Sequence, residues 1–551
     1  MFTATAAVAA LIQASPLGSL GQYTLILPHG TRAWPTMKRR LSELESSLSS
    51  MSPISATAPG AERPASTTAH TTSTAATNDA TPSSTEPPKP KPPPMDNEDT
   101  RAFNLIQETL QSWGSHHAPF GGLKALLEEE LWPAERKVLL GQTFPAILNF
   151  ALDIEALFLS PYESKRVHLL RQGERSSIPL RLSRVQVRCL LAHCLLCTFT
   201  DRHAYARHNY PQFEASGLLK GGSSSRVAKL RMLLNYFQRV SVEEPRGDIL
   251  LLRRTVSNIP DVMEAKRLSP VRLHPKGSIE VQPLASHADF ANKYPGGGVL
   301  SQGAVQEEIR FACAPELMMS MLFCEVLHDN EAVIVQGAET FSDYTGYGRT
   351  LAFGGSVHDT TTPRLPTGTL MTEVLVMDAV KEPGRAQFRK AYCERTLRKA
   401  LAAFEPTALS SGETVAGQPL FPVASAPISS GASTSAAATA SLPPSTPQIQ
   451  SWPIATGNWG CGVFLNDFHL MFMLQWIAAS LVGRSLDYYL FETKAIDVPR
   501  LEALVHYIQS EDMSIGRVYD LVLTFGAETP SHELNNRLID WLHEVLVPRK
   551  H

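Results

Sequence analysis

Residues 289–311 read DFANKYPGGGVLSQGAVQEEIRF, a run that joins a polyglycine turn to a pair of adjacent glutamates. Gly296, Gly297 and Gly298 tolerate positive φ and let backbone N–H groups approach an anion without interference from a Cβ, so this loop before a helix suits a phosphate. Gln306, Glu307 and Glu308 open the helix that follows, and Pro315 restarts it. Acidic residues in a first helical turn ordinarily answer the helix dipole, an effect of about 0.3–1 kcal/mol. Two adjacent carboxylates beside an anion loop can do more. The dipole lowers both pKa values while burial and mutual repulsion raise one, which divides the pair into an ionised and a protonatable member.

Working outward, the chain past Arg272 alternates β-rich pieces with helical periodicity. GSIEVQ (277–282), EAVIVQG (331–337), GTLMTEVLVMDAV (368–380) and LDYYLF (486–491) read as strands, and 315–327, 385–403, 468–482, 500–509 and 531–547 as helices. This grammar predicts an α/β sheet with helices on both faces and a ligand site beyond the strand ends. Upstream, Phe103, Ile106, Leu110 and Trp113 share a helical face, with Asp99 or Thr100 as N-cap. Further helices over 134–143, 145–158, 184–199 and 226–240 make an all-α unit of five or six helices.

The expected organisation is a flexible or targeting N-terminus (1–21), a segment at 22–48 that packs on the catalytic region, and a disordered linker (49–97). A helical accessory domain (98–265) and an α/β domain (266–551), the latter carrying a disordered insertion at 405–450, complete it. Two low-complexity tracts, 53–94 and 405–448, hold many of the 40 prolines among the 551 residues and cannot bury a core. The remainder, in a chain that is 43% hydrophobic and 19% charged overall, is ordinary globular composition, which excludes a collagen-like, coiled-coil or wholly disordered protein. No internal repeat is present.

A formal net charge of −3 lacks the basic excess that gathers nucleic acid, so no direct nucleic-acid site is expected and any anionic ligand must be held locally. Seven scattered cysteines argue for a reducing compartment. Cys194 and Cys197 form a CxxC without a second pair, which reads as a buried helix rather than zinc. Phe464–Val482 is interrupted by Asp467, His469 and Gln475, so no membrane span is expected. The acid-poor ATAAVAALI near the N-terminus allows a mitochondrial transit peptide; Lys38-Arg39-Arg40 suits a nuclear signal or, as the simpler reading, a solvated helix face.

GGGVLSQGAVQEE resembles the GGG-spacer-QEE signature of poly(ADP-ribose) glycohydrolases, with the family's spacer length at Val299–Val305. DFAN before it, QEEIRF-x3-PEL, YTGYG (344–348), TEVLVMDAV (372–380), ATGNWGCG (455–462) and YYLFET (488–493) extend the resemblance over 98–551 outside the inserted tract. It implies a macrodomain, a mixed sheet sandwiched by helices, preceded by an all-α accessory domain. It also implies hydrolysis of ribose–ribose O-glycosidic bonds in poly(ADP-ribose), mainly exo, with no cofactor and no metal.

Position by position, the resemblance makes Glu308 the general acid and then base, Glu307 the residue that grips the distal ribose, and Asp289 a brace for the catalytic loop. Asn292 would contact a ribose hydroxyl, Gln306 would join the substrate contacts, and Gly296, Gly297 and Gly298 would close over ribose and pyrophosphate. In GNWGCGVF (457–464) the resemblance implies a diphosphate loop built from Asn458, Gly460, Gly462, Val463 and Phe464, and glycines before an apolar helix suit that role. Leu465-Asn466 departs from the family's two glycines, while Asp467 matches. Ile279 and Glu280 would read adenine, Phe491 would stack on it, and Tyr347 would clasp the nucleotide; without the family, Phe491 reads as a core aromatic and Glu280 as a surface charge. The expected partners are poly(ADP-ribose) and the proteins that carry it, met by a monomer in the nucleus or cytoplasm. Two other readings use the same fold: a macrodomain that binds ADP-ribose chains with little turnover, and an enzyme that removes single ADP-ribose units from side chains.

Overall fold

The structure is a computed structural model and describes residues 24–51, 91–113, 118–158, 166–173, 179–199, 209–261, 266–411, 451–530 and 532–547. The sequence readings for 1–21 and for most of 49–97 and 405–450 fall outside the described residues. In chain order the strands are β1 (Thr24–Ile26), β2 (Arg166–His168), β3 (Leu180–Ser183), β4 (Asp248–Thr255), β5 (Val271–His274), β6 (Ser286–Ala291), β7 (Glu331–Gln336), β8 (Ser342–Thr345), β9 (Ala352–Ser356), β10 (Glu373–Asp378), β11 (Ile454–Gly457) and β12 (Leu486–Tyr489). Eight of them form one sheet in the order β3-β4-β7-β10-β6-β11-β12-β5. From β10 to β5 neighbours run parallel; β10–β7, β7–β4 and β4–β3 run antiparallel.

The central strands explain the two-sided burial. Every residue of β7 (EAVIVQ) and β10 (EVLVMD) is buried, as expected where helices cover both faces. Successive side chains alternate between faces. Val333, Val335, Val374 and Val376 enter one core with the helical part, while Ala332, Ile334, Leu375 and Met377 enter a second with the helices Lys390–Phe404 and Phe468–Leu481. The result is the α/β sheet with flanking helices that the strand–helix alternation predicted.

Several local expectations differ in the structure. The helix containing Phe103, Ile106 and Leu110 begins at Asn97, capped by Asp96, whose carboxylate accepts from the Asp99 N–H at 2.8 Å; Asp99 and Thr100 lie inside its first turn. GSIEVQ makes a 3-10 turn at Ile279–Val281 rather than a strand, and 315–327 breaks into two short helical pieces, Pro315–Met318 and Met319–Phe323. Strands β3 and β4 come from the stretch read as wholly helical and extend the sheet. The helix Trp34–Met51 docks on the helical part, not on the catalytic strands, with the Trp34 indole donating to Glu155 Oε1 at 2.6 Å. Its basic run is a solvated face, Lys38 pairing with Glu155 and Arg39 with Glu43. Residues 405–411, assigned to the insertion, are folded: Thr407 donates to Glu373, and the Trp452 N–H returns to Ser410 O at 2.9 Å.

Among the described residues no helix is long and apolar enough to cross a membrane. All seven cysteines are buried, and none is joined in a disulfide.

The antiparallel half is tied by one ion pair without solvent. Arg253 Nη2 of β4 lies 2.5 Å from Glu331 Oε2 of β7, both side chains fully buried. Removing one partner strands the other charge at a cost of about 3–5 kcal/mol. Glu331→Ala should therefore lower the urea unfolding midpoint by that equivalent, measured by circular dichroism.

Candidate active site

Three consecutive parallel strands, β6, β11 and β12, start in register, since Ile454 pairs with Ser286 and with Leu486, and run toward the same edge of the sheet. Their C-terminal ends lead directly into the segments singled out from sequence: Asn292 and the glycine turn after β6, residues 458–467 after β11, and Phe491 after β12. The crevice outside the carboxyl ends of parallel strands is where such sheets bind ligands.

After β6 the chain turns through Gly296–Gly298 and enters the helix Gln306–Cys313. Glu307 Oε2 accepts from the Asn292 N–H at 2.8 Å and Oε1 from the Gly296 N–H at 2.7 Å. Glu308 Oε1 accepts from the Gly298 N–H and Oε2 from the Val305 N–H, each at 2.9 Å. The remaining glycine N–H, that of Gly297, donates to Tyr294 O at 3.0 Å. The sequence reading expected the polyglycine turn to offer its N–H groups to a phosphate; instead they are used within the protein, two of them on the carboxyl groups of Glu307 and Glu308. A side chain at Gly297 would meet Glu308 Oε1 at 2.5 Å and Glu307 Oε2 at 2.6 Å, and its φ of +49° adds strain for any L residue. Gly303, which sequence reading passed over, is equally constrained, because a Cβ there would lie 2.4 Å from Glu308 Oε1. Its signal was present as the SQG turn three residues before QEE.

Asp289, in the middle of β6, is fully buried and neither of its oxygens accepts a hydrogen bond among the described residues. It does not brace the loop by hydrogen bonding. Burial raises its pKa well above the ordinary value; nearby Arg310 opposes this, and Glu308 and Glu280 add to it. Burial likewise raises Glu307, reinforced by Asp289 and Glu308 and opposed by the N–H bonds from Asn292 and Gly296. Beside them, His287 is held down to about 4 by burial and by Arg310. Its Nε2 faces Gln282 O at 2.7 Å, so that nitrogen carries the proton, and Nδ1 meets Arg310 Nη2 at 3.4 Å.

Gln306 serves the scaffold. Its Oε1 accepts from the Phe290 N–H at 2.8 Å and its Nε2 donates to Ala288 O at 3.4 Å, fixing the helix to β6. Each amide atom keeps one further hydrogen-bonding position, and the residue is half-buried. Asn292 Oδ1 accepts from the Tyr294 N–H at 3.1 Å, which shapes the turn. Tyr347 is exposed, and its hydroxyl receives the Gln306 N–H at 3.2 Å at the rim of the glutamate site.

The loop after β11 is built differently. Among the described residues no acceptor takes the N–H of Gly460, Gly462, Val463 or Phe464, so here the backbone donors are open to an anion. Asn458 is not part of that set: its Nδ2 donates to Leu490 O at 3.0 Å and its Oδ1 lies 3.2 Å from the Tyr488 hydroxyl, tying the loop to the next strand. Leu465 occupies the left-handed region at φ +57° with its side chain largely exposed, a conformation glycine adopts without strain. Asn466 holds the turn from inside, with Nδ2 donating to Val380 O at 2.9 Å and Gly460 O at 3.0 Å. Asp467 Oδ1 caps the following helix through the Leu470 N–H at 2.8 Å.

On the far side, Ile279 is buried in a small cluster with Ala285, Ala455 and Tyr489, against which Phe290 and Phe491 pack. Glu280 sits on the adjoining turn, half-buried. Phe491 is held at φ +51° and crowds Gly457, where a Cβ would come within 2.6 Å of its ring. The structure thus groups Ile279 and Phe491 around one small cluster, with Glu280 near enough to Asp289 and His287 to act on both electrostatically. No group of three or more metal-ligating side chains forms among the described residues.

Residues 259–498 match the family model described as the poly(ADP-ribose) glycohydrolase macro domain fold, and residues 131–253 match that family's helical domain. Poly(ADP-ribose) glycohydrolase 1 of Arabidopsis thaliana is 30% identical over 471 residues, 76% of this chain and 84% of the relative. The probable poly(ADP-ribose) glycohydrolase 2 of the same plant is 27% identical, spanning 79% and 88% respectively. Poly(ADP-ribose) glycohydrolase 1 of Caenorhabditis elegans is 29% identical over 61% of this chain and 40% of its own length.

The unpartnered carboxyl of Asp289 has a thermodynamic signature. Its folded pKa lies above the unfolded value of about 3.9, so the stability it contributes is complete below about pH 4 and is lost as pH rises through the folded value. Between about pH 5 and about pH 8, the unfolding free energy of the wild type should fall relative to that of Asp289→Asn. Parallel pH profiles of the two proteins in urea titrations would show that Asp289 does not carry this proton.

Proposed function

The chain belongs to the poly(ADP-ribose) glycohydrolase family, and from that premise we propose that it cleaves the ribose–ribose O-glycosidic bonds of poly(ADP-ribose) mainly from chain ends, releasing ADP-ribose. Glu308 is the general acid: its proton passes to the leaving ribose oxygen as the bond to the anomeric carbon breaks and the electron pair leaves with that oxygen. The anomeric centre becomes oxocarbenium-like. Water then adds to that carbon and returns a proton to Glu308. Glu307 grips the hydroxyls of the distal ribose and holds the sugar against Glu308.

Neighbouring glutamates on one helical turn cannot flank opposite faces of a sugar, so neither is the nucleophile; the pyrophosphate of the substrate shields one face of the cation. The open N–H groups of Gly460, Gly462, Val463 and Phe464 take that pyrophosphate, which compensates locally for a chain whose net charge is −3. Ile279 and Phe491 sandwich the adenine, with Glu280 accepting from its exocyclic amine, and Tyr347 closes over the nucleotide. Asn292 reaches a ribose hydroxyl. The partners are poly(ADP-ribose) chains and the proteins bearing them, met by a monomer in the nucleus or cytoplasm.

The observation that carries this reading is the adjacency of two unlike loops on neighbouring parallel strands. One binds two carboxylates with its own N–H groups, and the other leaves its N–H groups for an anion. General acid–base groups contribute about 10²- to 10⁴-fold. Glu308→Gln should lose that much turnover on purified polymer while binding ADP-ribose like the wild type, followed by chromatography of released ADP-ribose and by calorimetry. A variant as fast as wild type would remove Glu308 from the chemistry. A wild-type protein that binds ADP-ribose without releasing any from polymer would leave the binding-module reading.

A further inference from the structure

Lys229 lies in the helix Ser224–Val242 of the helical part, with only 1% of its surface exposed. Its ammonium reaches across to the glycine loop and donates to Gly298 O at 3.1 Å, to Ser301 O at 2.9 Å and to Gly303 O. Those carbonyls belong to the turn that holds Glu308. The Gly298 N–H donates to Glu308 Oε1, the Gly303 N–H closes on Gly298 O at 3.1 Å, and Gly303 itself abuts the Glu308 carboxylate. A second element of the helical part meets the same loop. Gly217, in the helix Ser216–Lys220, touches Leu300 so closely that a Cβ would lie 2.4 Å from the Leu300 carbonyl.

We propose that Lys229 is a positioning residue for the glycohydrolase reaction, its ammonium binding three loop carbonyls and thereby fixing the Gly298 N–H and the Glu308 carboxylate in register. A buried ammonium is costly unless its hydrogens are taken up, and here all three N–H groups have carbonyl acceptors. A turn whose N–H groups point inward at carboxylates must point carbonyls the other way; Lys229 receives them. The helical part thus completes the active site by supplying the counterpart to the glycine turn. This rests on Glu308 being the general acid.

The groups whose charge bears on Lys229 are Glu308, from the loop and its helix, and Arg226, on its own helix. Burial brings its pKa down to about 8, with Glu308 acting against that shift and Arg226 adding to it. Above that pH the amine has two hydrogens for three carbonyls, so the loop loses one of its ties.

The test compares Lys229→Met, Lys229→Arg and Glu308→Gln in the full chain, with steady-state kinetics on poly(ADP-ribose), ADP-ribose affinity by calorimetry, and thermal melting. Misplacement of a catalytic group by about 1 Å costs on the order of 10²-fold. Lys229→Met should lose about that much kcat with KM and ADP-ribose affinity nearly unchanged, and Lys229→Arg should recover part of the loss. Because a guanidinium stays charged throughout, the ratio of arginine-variant to wild-type kcat should rise as pH passes about 8, over and above the alkaline fall that Glu308 gives both. A folded Lys229→Met with wild-type kcat would overturn the proposal. If that variant does not fold, Lys229→Arg decides: an alkaline limb identical to that of the wild type would also overturn it. The control separates the two ideas. An active Glu308→Gln undoes the general-acid assignment, whereas an inactive one beside a fully active Lys229→Met undoes only the role of Lys229.

Discussion

Four backbone N–H groups hold two buried carboxylates: Asn292 and Gly296 on Glu307, Gly298 and Val305 on Glu308. Burying two carboxyl groups side by side is costly whenever either is ionised, and the surrounding structure is organised around meeting that cost. The chain must return on itself within a few residues, which forces glycine at positions 297 and 303, where a single Cβ would strike a carboxylate oxygen. It must also dispose of the carbonyls that such a turn throws outward, and Lys229 collects three of them.

The sheet gives this arrangement its place. Parallel neighbours β6 and β11 direct two loops to the same edge, and the loops are electrostatic opposites: one has spent its donors on the protein, and the other has kept them. The proposed substrate, with an anionic middle and a sugar at one end, answers to that contrast. From the neighbouring strand β12 the chain runs into Phe491, which packs on the cluster that contains Ile279. One strand order thus leads three chemically distinct segments out of the same edge of the sheet.

Much of this was legible from residue types. Unbroken apolar runs at 332–335 and 374–377 pointed to strands between two layers of helices, and GGG-x7-QEE and GNWGCG marked the loops. Other features depended on contacts distant in sequence. DFAN was read as a motif and not as the central strand, because Asp289 makes SHADFA look polar until the sheet buries it. The direction of the glycine N–H groups could not be read from glycine alone, since the same permissiveness serves an outward or an inward cradle. GSIE looked like a strand by composition, yet tertiary packing of Ile279 bends it into a turn. Lys229 gave no sign at all; in RVAKLRMLL it is one cation on a helix, and only the folded chain shows that it lies buried under a loop some seventy residues away.

The Trp452-to-Ser410 hydrogen bond lets the polypeptide depart and re-enter at one doorway. Both thresholds are fastened to the body, by Thr407 on Glu373 and by β11 in the sheet, so a flexible loop joined there meets ends already held together, and its closure entropy grows only with the logarithm of its length. The doorway is therefore a natural place for a fluorophore, an affinity handle or a foreign module.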